Sequence, residues 1–130
     1  MREILNPSVV HRPVGLYSHA VKARFFVFVA GQLGLDGNGN VIGPGDIEVQ
    51  TRAAFDNLKR VLEASGSDLD RIVLLNIYVT DMTAFQTKAR EVRRDYFLRE
   101  FPAITVVEVK GLARPEYMVE IEAVALTDEA

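Results

Sequence analysis

The chain has 130 residues, of which 48% are hydrophobic, with 15 basic against 18 acidic side chains, a net charge of −3 and no cysteine. These values are typical of one globular domain, which we place at residues 1–130. Without cysteine, a disulfide framework, a cysteine-based zinc site and a thiol nucleophile are excluded. The balanced charge argues against a nucleic-acid binder, which carries a concentrated basic surface.

The first part of the chain favours neither a membrane span nor a targeting helix. The apolar run at residues 25–30 is far shorter than the roughly 20 residues that cross a bilayer. Pro7, Pro13 and Gly15 would interrupt an amphipathic transit helix. We therefore expect a cytoplasmic protein with no membrane association.

The first half of the chain predicts a strand, a turn and a long helix. Residues 24–30 are aromatic and β-branched and end at Gly31, which is typical of a buried strand. The Gly- and Asn-rich residues 36–40 favour a tight turn. From Asp46, apolar residues recur every three to four positions up to a C-cap at Gly66, which predicts an amphipathic helix of about five turns.

The second half predicts another strand, a second helix and a final strand pair. Residues 72–79 are almost continuously apolar, as in a central strand. Asp81 can cap a helix that continues until Pro102 forbids its extension. Residues 104–110 and 117–126 both have strand character, and the short connection between them favours an antiparallel pair.

These elements, in the order strand pair, helix, strand, helix, strand pair, predict an α+β fold in which two helices cover one face of a mixed sheet. In the last strand, alternation places Glu120 and Glu122 on the face opposite to Val119 and Ile121. The second sheet face is left without a covering layer. We therefore expect an oligomer that packs sheet faces together.

The chemical motifs of nucleotide, metal and serine-triad sites are missing. No Gly-rich phosphate loop is present, and His11 and His19, the two histidines, have neither metal-ligand spacing nor cysteine partners. We therefore expect no metal ion. Ser18 is adjacent to His19, so on a strand the two side chains would point to opposite faces and could not form a nucleophile–base pair.

Four residues remain as candidates for a site. Tyr17 can donate a hydrogen bond to a bound oxygen or simply fill an interface. Gly31 permits a close backbone approach by a ligand, although ending a strand is also an adequate reason for glycine. Glu120 and Glu122, about 7 Å apart along the strand, are either an acid or base, or ion-pair partners of Lys110 or an arginine.

The order of several short segments resembles that of the reactive-intermediate deaminase family, the YjgF/RidA proteins. The resemblance covers about residues 15–126, and the ordered set carries it rather than any single tetrapeptide. The segments are Tyr17-Ser18-His19-Ala20, Val29-Ala30-Gly31-Gln32, Val61 to Gly66, Val79-Thr80-Asp81-Met82, Phe101-Pro102-Ala103 and Val119 to Ala125.

This resemblance implies a fold like that of the small chorismate mutases, assembled as a homotrimer with a central barrel and with ligand clefts between subunits. It further implies cofactor-free hydrolysis of enamines and imines of small amino acids to a keto compound and ammonia. In such a cleft Tyr17 would line the wall, Gly31 would offer backbone contacts and Glu120 would position or activate the water.

The chain departs from the family pattern at four positions of the implied cleft. Deaminating members carry an arginine that grips the substrate carboxylate where this chain has Ile104. Ala89 replaces a frequent asparagine, Val106 a frequent cysteine and Ala30 a usual serine. Without a guanidinium, a small anionic imine would lose a charge-assisted pair.

A replacement cation for the missing guanidinium would have to come from elsewhere in the chain. His19, Lys88 and Arg114 are the candidates that the sequence offers for this role. The sequence does not place any of them relative to Ile104.

Two functions follow from these observations. The first is an imine or enamine deaminase with altered substrate choice, in which Glu120 activates water and the apolar surroundings of Ile104 and Val106 accept a larger or less charged substrate. The alternative is a non-catalytic trimer that binds a small molecule.

Ribonuclease activity, described for some relatives, fits the acidic balance poorly. Arg90, Arg93 and Arg94 are interpreted as a solvated face of the second helix rather than as a nucleic-acid patch.

Overall fold

The computed structural model describes residues 1–127, which form a six-stranded sheet with helices on one side. The strands are β1 Arg2–Leu5, β2 Ala20–Ala23, β3 Phe26–Gln32, β4 Ile72–Val79, β5 Ala103–Glu108 and β6 Val119–Leu126. The helices are α1 Ile47–Ala64 and α2 Met82–Lys88, with 3₁₀ segments at Leu69–Arg71 and Arg90–Asp95. The strand order is β1-β2-β3-β6-β4-β5, with β4 and β5 parallel and all other pairs antiparallel.

The long helix α1 confirms its sequence prediction. The Asp46 side chain caps it by accepting a hydrogen bond from the Val49 amide at 3.1 Å. Gly66 follows its C-terminus with a φ of 82°, a conformation that glycine adopts without strain. Leu58 and Leu62 are fully buried against the sheet, and each such side chain contributes about 1.5–3 kcal/mol of transfer free energy.

The second helix is shorter than predicted. α2 ends at Lys88, because Ala89 leaves helical geometry with φ −129° and ψ −11°. The chain continues as a tighter turn in which the Val92 amide donates to the Ala89 carbonyl, three residues back. The predicted apolar side is nevertheless buried, including Phe85, Ala89, Val92 and Phe97.

The predicted pairing of the last two strands is wrong. β5 lies at the edge of the sheet, parallel to β4, whereas β6 lies between β3 and β4. Val119, Ile121, Ala123 and Ala125 of β6 are all buried beneath the helices, so burial favours a central position for this strand over pairing with its sequence neighbour. The small alanines also allow α1 to approach the sheet closely.

The start of the sheet also differs from the prediction. β3 runs from Phe26, because Arg24 adopts a positive φ of 52° in the turn between β2 and β3, and Gly31 lies inside the strand rather than after it. β1 was not predicted at all. Its side chains are mostly exposed at an edge, and so its sequence has no apolar alternation.

The second sheet face has no covering layer within residues 1–127, as predicted. Large apolar side chains on it remain open to solvent: Phe26 is 38% exposed, Phe28 47% and Leu74 39%. Their alternation partners Val27, Val29 and Leu75 are buried under the helices. We call this surface the open face.

Candidate active site

A β-bulge in β3 shapes the centre of the candidate site. Val29 faces Ala123 and Gln32 faces Ile121, so Ala30 and Gly31 together oppose a single residue of β6. The Ala30 amide donates to the His19 carbonyl at 2.8 Å instead of to β6. Such bulges redirect side chains and are frequent next to active sites.

Gly31 leaves room for the Glu120 side chain. A Cβ at position 31 would lie 2.4 Å from Glu120 Oε2 and 2.5 Å from Glu120 Cδ. The glycine is therefore explained by close approach, as the sequence suggested, but the approaching group is the carboxyl of this chain. The bulge and the glycine together hold Glu120 against the β3 backbone.

The Glu120 carboxyl has neither a hydrogen bond nor an ion pair within residues 1–127. Partial burial raises the pKa of Glu120 above the ordinary glutamate value, and the nearby charge of Glu122 raises it further. A carboxyl group with a raised pKa and unused oxygens can take up and return a proton during a reaction.

Glu122 has a different environment from Glu120, although both project from the same face of β6. Its Oε1 accepts hydrogen bonds from the Tyr78 hydroxyl at 2.5 Å and from the Asn76 amide at 3.2 Å. The hydrogen bond to Glu122 raises the pKa of Tyr78. Hydrogen bonds thus hold the Glu122 carboxyl group in place beside Glu120.

The ion-pair interpretation of the two glutamates is not supported. The register places Glu120 opposite Tyr78 and Glu122 opposite Asn76. Lys110 follows β5, which does not pair with β6. Sequence reasoning had missed Tyr78 and Asn76, although their positions on the polar side of an apolar strand were a usable signal.

Tyr17 lies in the loop before β2 and is 38% exposed. Its hydroxyl accepts a hydrogen bond from the Val14 amide at 3.1 Å, and its ring contacts His19 edge-on at 5.8 Å. The phenol is therefore engaged with its own loop in a single chain, not with the Glu120 carboxyl.

Ile104, Val106 and Ala89 lie on the side of the sheet opposite to Glu120. Ala89 is buried in the main core, and Ile104 and Val106 pack against that core. Leu75 and Ile77, their neighbours on β4, are buried under the helices. One chain therefore does not bring Ile104 together with Glu120 and Gly31.

Ile104 borders a pocket that the sequence interpretation had missed. The pocket has a volume of about 320 Å³ and is lined by Arg90, Glu91, Arg93, Arg94, Phe101, Pro102 and Ile104. We call it the arginine pocket. The three arginines are thus more than a solvated helix face, because the 3₁₀ turn directs them to the same concave surface.

The three cations considered from the sequence lie elsewhere. His19 is buried, with Nε2 bonded to the His11 carbonyl at 2.8 Å and Nδ1 to the Gln32 amide at 3.1 Å. Burial lowers the pKa of His19, which favours the neutral ring. Lys88 borders a depression that Asp46 also lines. Arg114 borders another, which Tyr117 also lines.

No cluster of three or more metal-ligating side chains is found within residues 1–127. In the same part of the chain, no helix has the length and apolar character that a bilayer crossing needs.

Comparison with known proteins identifies the family. Residues 9–127 match the family described as endoribonuclease L-PSP. A RutC family protein of Pyrococcus horikoshii is 39% identical over 125 residues, which are 96% of this chain and 98% of that protein. The chain belongs to the YjgF/RidA family.

Other family members connect the fold with named activities and ligands. A mouse protein named 2-iminobutanoate/2-iminopropanoate deaminase is 31% identical over 126 residues, 97% of this chain and 92% of that protein. The crystal structure of E. coli TdcF with bound serine superposes with a TM-score of 0.87 at 25% identity, covering 97% of this chain and 99% of TdcF. The α+β architecture expected from the resemblance is therefore confirmed.

Proposed function

We propose that this YjgF/RidA protein hydrolyses small imines, and enamines after tautomerisation, to a keto compound and ammonia. The observation that carries the proposal is the Glu120 carboxyl, which is held against Gly31, has a raised pKa and has no partner among the described residues. Relatives of 31–34% identity named as imine and 3-aminoacrylate deaminases support the reaction class.

The reaction requires both protons of one water molecule to reach the imine nitrogen. Glu120 in its ionised form takes a proton from water while the water oxygen forms a bond to the imine carbon, and the C=N double bond becomes a C–N single bond. Glu120 then returns this proton to the nitrogen, which gives a carbinolamine with a neutral amino group. Glu120 next takes the proton of the new hydroxyl group and passes it to the same nitrogen as the C–N bond breaks, so ammonia leaves and the C=O bond forms. Water and imine thus account for all atoms of the keto product and ammonia.

A substrate that contacts both Glu120 and Ile104 needs two copies of the chain, because these residues lie on opposite sides of one sheet. β5 is an edge strand, so Ile104 is accessible to a neighbouring copy. The apolar open face provides the surface that such a copy would cover. We infer a homotrimer in the cytoplasm, with small-molecule clefts between its subunits.

The apolar substitutions in the cleft set the substrate range. Ala30, Ala89, Ile104 and Val106 offer no polar group to a ligand, so we infer a preference for imines with an extended aliphatic side chain. In this cleft Tyr17 would close one wall. Neither a metal ion nor a cofactor takes part in the steps above.

The test generates a series of 2-imino acids with an amino-acid oxidase and follows their decay and the release of ammonia with and without protein. We expect decay above the buffer rate, increasing from two-carbon to longer aliphatic side chains. Stabilisation of the protein by an imine or its keto acid without accelerated decay would instead support the non-catalytic binder. Neither effect with any member of the series would reject both.

A further inference from the structure

The arginine pocket carries a net positive charge in a protein whose overall charge is negative. Its lining contains three arginines and one glutamate, Glu91. Arg90 Nη1 lies 2.8 Å from Glu91 Oε2, and Arg94 Nε lies 2.6 Å from Glu91 Oε1. The Glu91 carboxylate therefore forms ion pairs with Arg90 and Arg94, and the third guanidinium group of the lining forms no ion pair with it.

Arg93 is that third group. Its Nε donates to the Arg90 carbonyl at 3.0 Å, and its guanidinium lies 5.8 Å from the centroid of the buried Phe85 ring. These contacts fix the orientation of the side chain, while its terminal nitrogens make no hydrogen bond or ion pair within residues 1–127. A preoriented guanidinium with free terminal nitrogens matches a carboxylate in bidentate geometry.

The electrostatic environment of Arg93 favours an incoming anion. Partial burial lowers the pKa of Arg93, and the positive charge of Arg90 acts in the same direction, while the charge of Glu91 opposes both. A bound anion would relieve both effects, because it would compensate a partly desolvated charge.

The rest of the lining selects the type of anion. Phe101, Pro102 and Ile104 form the apolar side of the pocket. A volume of about 320 Å³ is at the lower end for ligand sites and fits a small molecule. An organic acid with an aliphatic side chain satisfies both the arginines and this apolar wall.

We propose that the arginine pocket binds the carboxylate of a small aliphatic 2-imino or 2-keto acid, with Arg93 as its pairing residue. The inference rests on the proposed function for the identity of the acid, and it deepens that function by naming the group that orients the substrate. The pocket would supply from the 3₁₀ turn the cation that Ile104 does not supply.

The test measures binding separately from turnover. 2-Oxobutanoate, a stable keto acid, is titrated calorimetrically into wild-type protein, Arg93→Gln, Arg93→Lys and the control Arg99→Gln, whose exposed side chain borders a different depression. We expect Arg93→Gln to weaken binding at least tenfold, Arg93→Lys to weaken it less, and Arg99→Gln to bind within twofold of wild type. Any binding of neutral 2-butanone should be the same in wild type and in the Arg93 variants.

Turnover of 2-iminobutanoate then separates the two proposals. An Arg93→Gln variant with a KM raised at least tenfold and a nearly unchanged kcat supports both. If the protein binds the keto acid through Arg93 but hydrolyses no imine, the carboxylate site in the arginine pocket is supported and the proposed function is rejected. Binding and KM that are the same in wild type and in both folded Arg93 variants, or no binding by wild type, overturn the inference.

Discussion

The Glu120 carboxyl occupies the space that a side chain at position 31 would need, with Oε2 only 2.4 Å from the place of a Cβ. The bulge in β3 and the absence of a side chain at Gly31 therefore act together on one functional group. A glycine inside a strand costs stability, and here the structure gives a reason for it.

The Gly31→Ala variant tests the contact directly. The new methyl group would push the Glu120 carboxyl away from β3, because the end of a flexible side chain moves more easily than backbone. We expect imine hydrolysis to fall at least tenfold, while the melting temperature changes by a few degrees at most. Gly111→Ala is the matched control, since a Cβ at that exposed position meets no atom within 4 Å.

The pH dependence of hydrolysis reports on the pair Glu120 and Glu122. If ionised Glu120 is the base, the rate rises with pH through the pKa of Glu120, which burial and then the Glu122 charge raise above the ordinary value. Glu122→Gln removes the effect of the Glu122 charge on the pKa of Glu120, so the acidic limb of the kcat/KM profile should move to lower pH. An acidic limb that stays in place in a folded variant would contradict the assignment.

The same raised pKa predicts a change in stability. A carboxyl group with a higher pKa in the folded than in the unfolded state stabilises the fold below the unfolded pKa, and this stability is lost as pH rises through the folded pKa. At neutral pH, Glu120→Gln should therefore have a higher free energy of unfolding than wild type. Urea unfolding at pH 4 and pH 7.5 measures this, and the gain should shrink at the lower pH.

Gln50 links α1 to the segment that leads into β6. Its amide donates to the carbonyls of Gly43 at 3.2 Å and Glu116 at 3.1 Å, and its Oε1 accepts from the Met118 amide at 3.0 Å. Gln50→Leu would remove three hydrogen bonds of a buried side chain, and a typical hydrogen bond contributes about 0.5–1.5 kcal/mol to stability. We expect a clear loss in urea unfolding, whereas Gln86→Leu on the exposed side of α2 should change little.

The sequence predicted the elements whose pattern depends on local geometry. The spacing of apolar residues between Asp46 and Gly66 determines α1 because an amphipathic helix buries one side, and alternation in residues 119–126 correctly assigned the two faces of β6. The sequence indicated Glu120 and Gly31 independently as candidate site residues, each because of its own residue type. Their contact was not predictable, because it depends on a bulge that pairs β3 with a strand about 90 residues later.

The prediction failed where non-local burial decides. Residues 104–110 and 117–126 are neighbours in sequence, yet β6 is inserted between β3 and β4 because its four inward side chains fit beneath the helices. α2 ends at the buried Ala89, where the sequence has neither proline nor glycine. That early end produces the 3₁₀ turn that gathers Arg90, Arg93 and Arg94, so the arginine pocket could not be derived from a continuous helix.

The most direct test of the central claim compares kcat/KM for 2-iminobutanoate hydrolysis in wild type, Glu120→Gln and Glu63→Gln, a matched change on the exposed side of α1. If Glu120 transfers the proton, Glu120→Gln should lose about 10²- to 10⁴-fold, and Glu63→Gln should stay within twofold of wild type. A Glu120→Gln protein that keeps its fold and hydrolyses the imine at the wild-type rate would contradict the account.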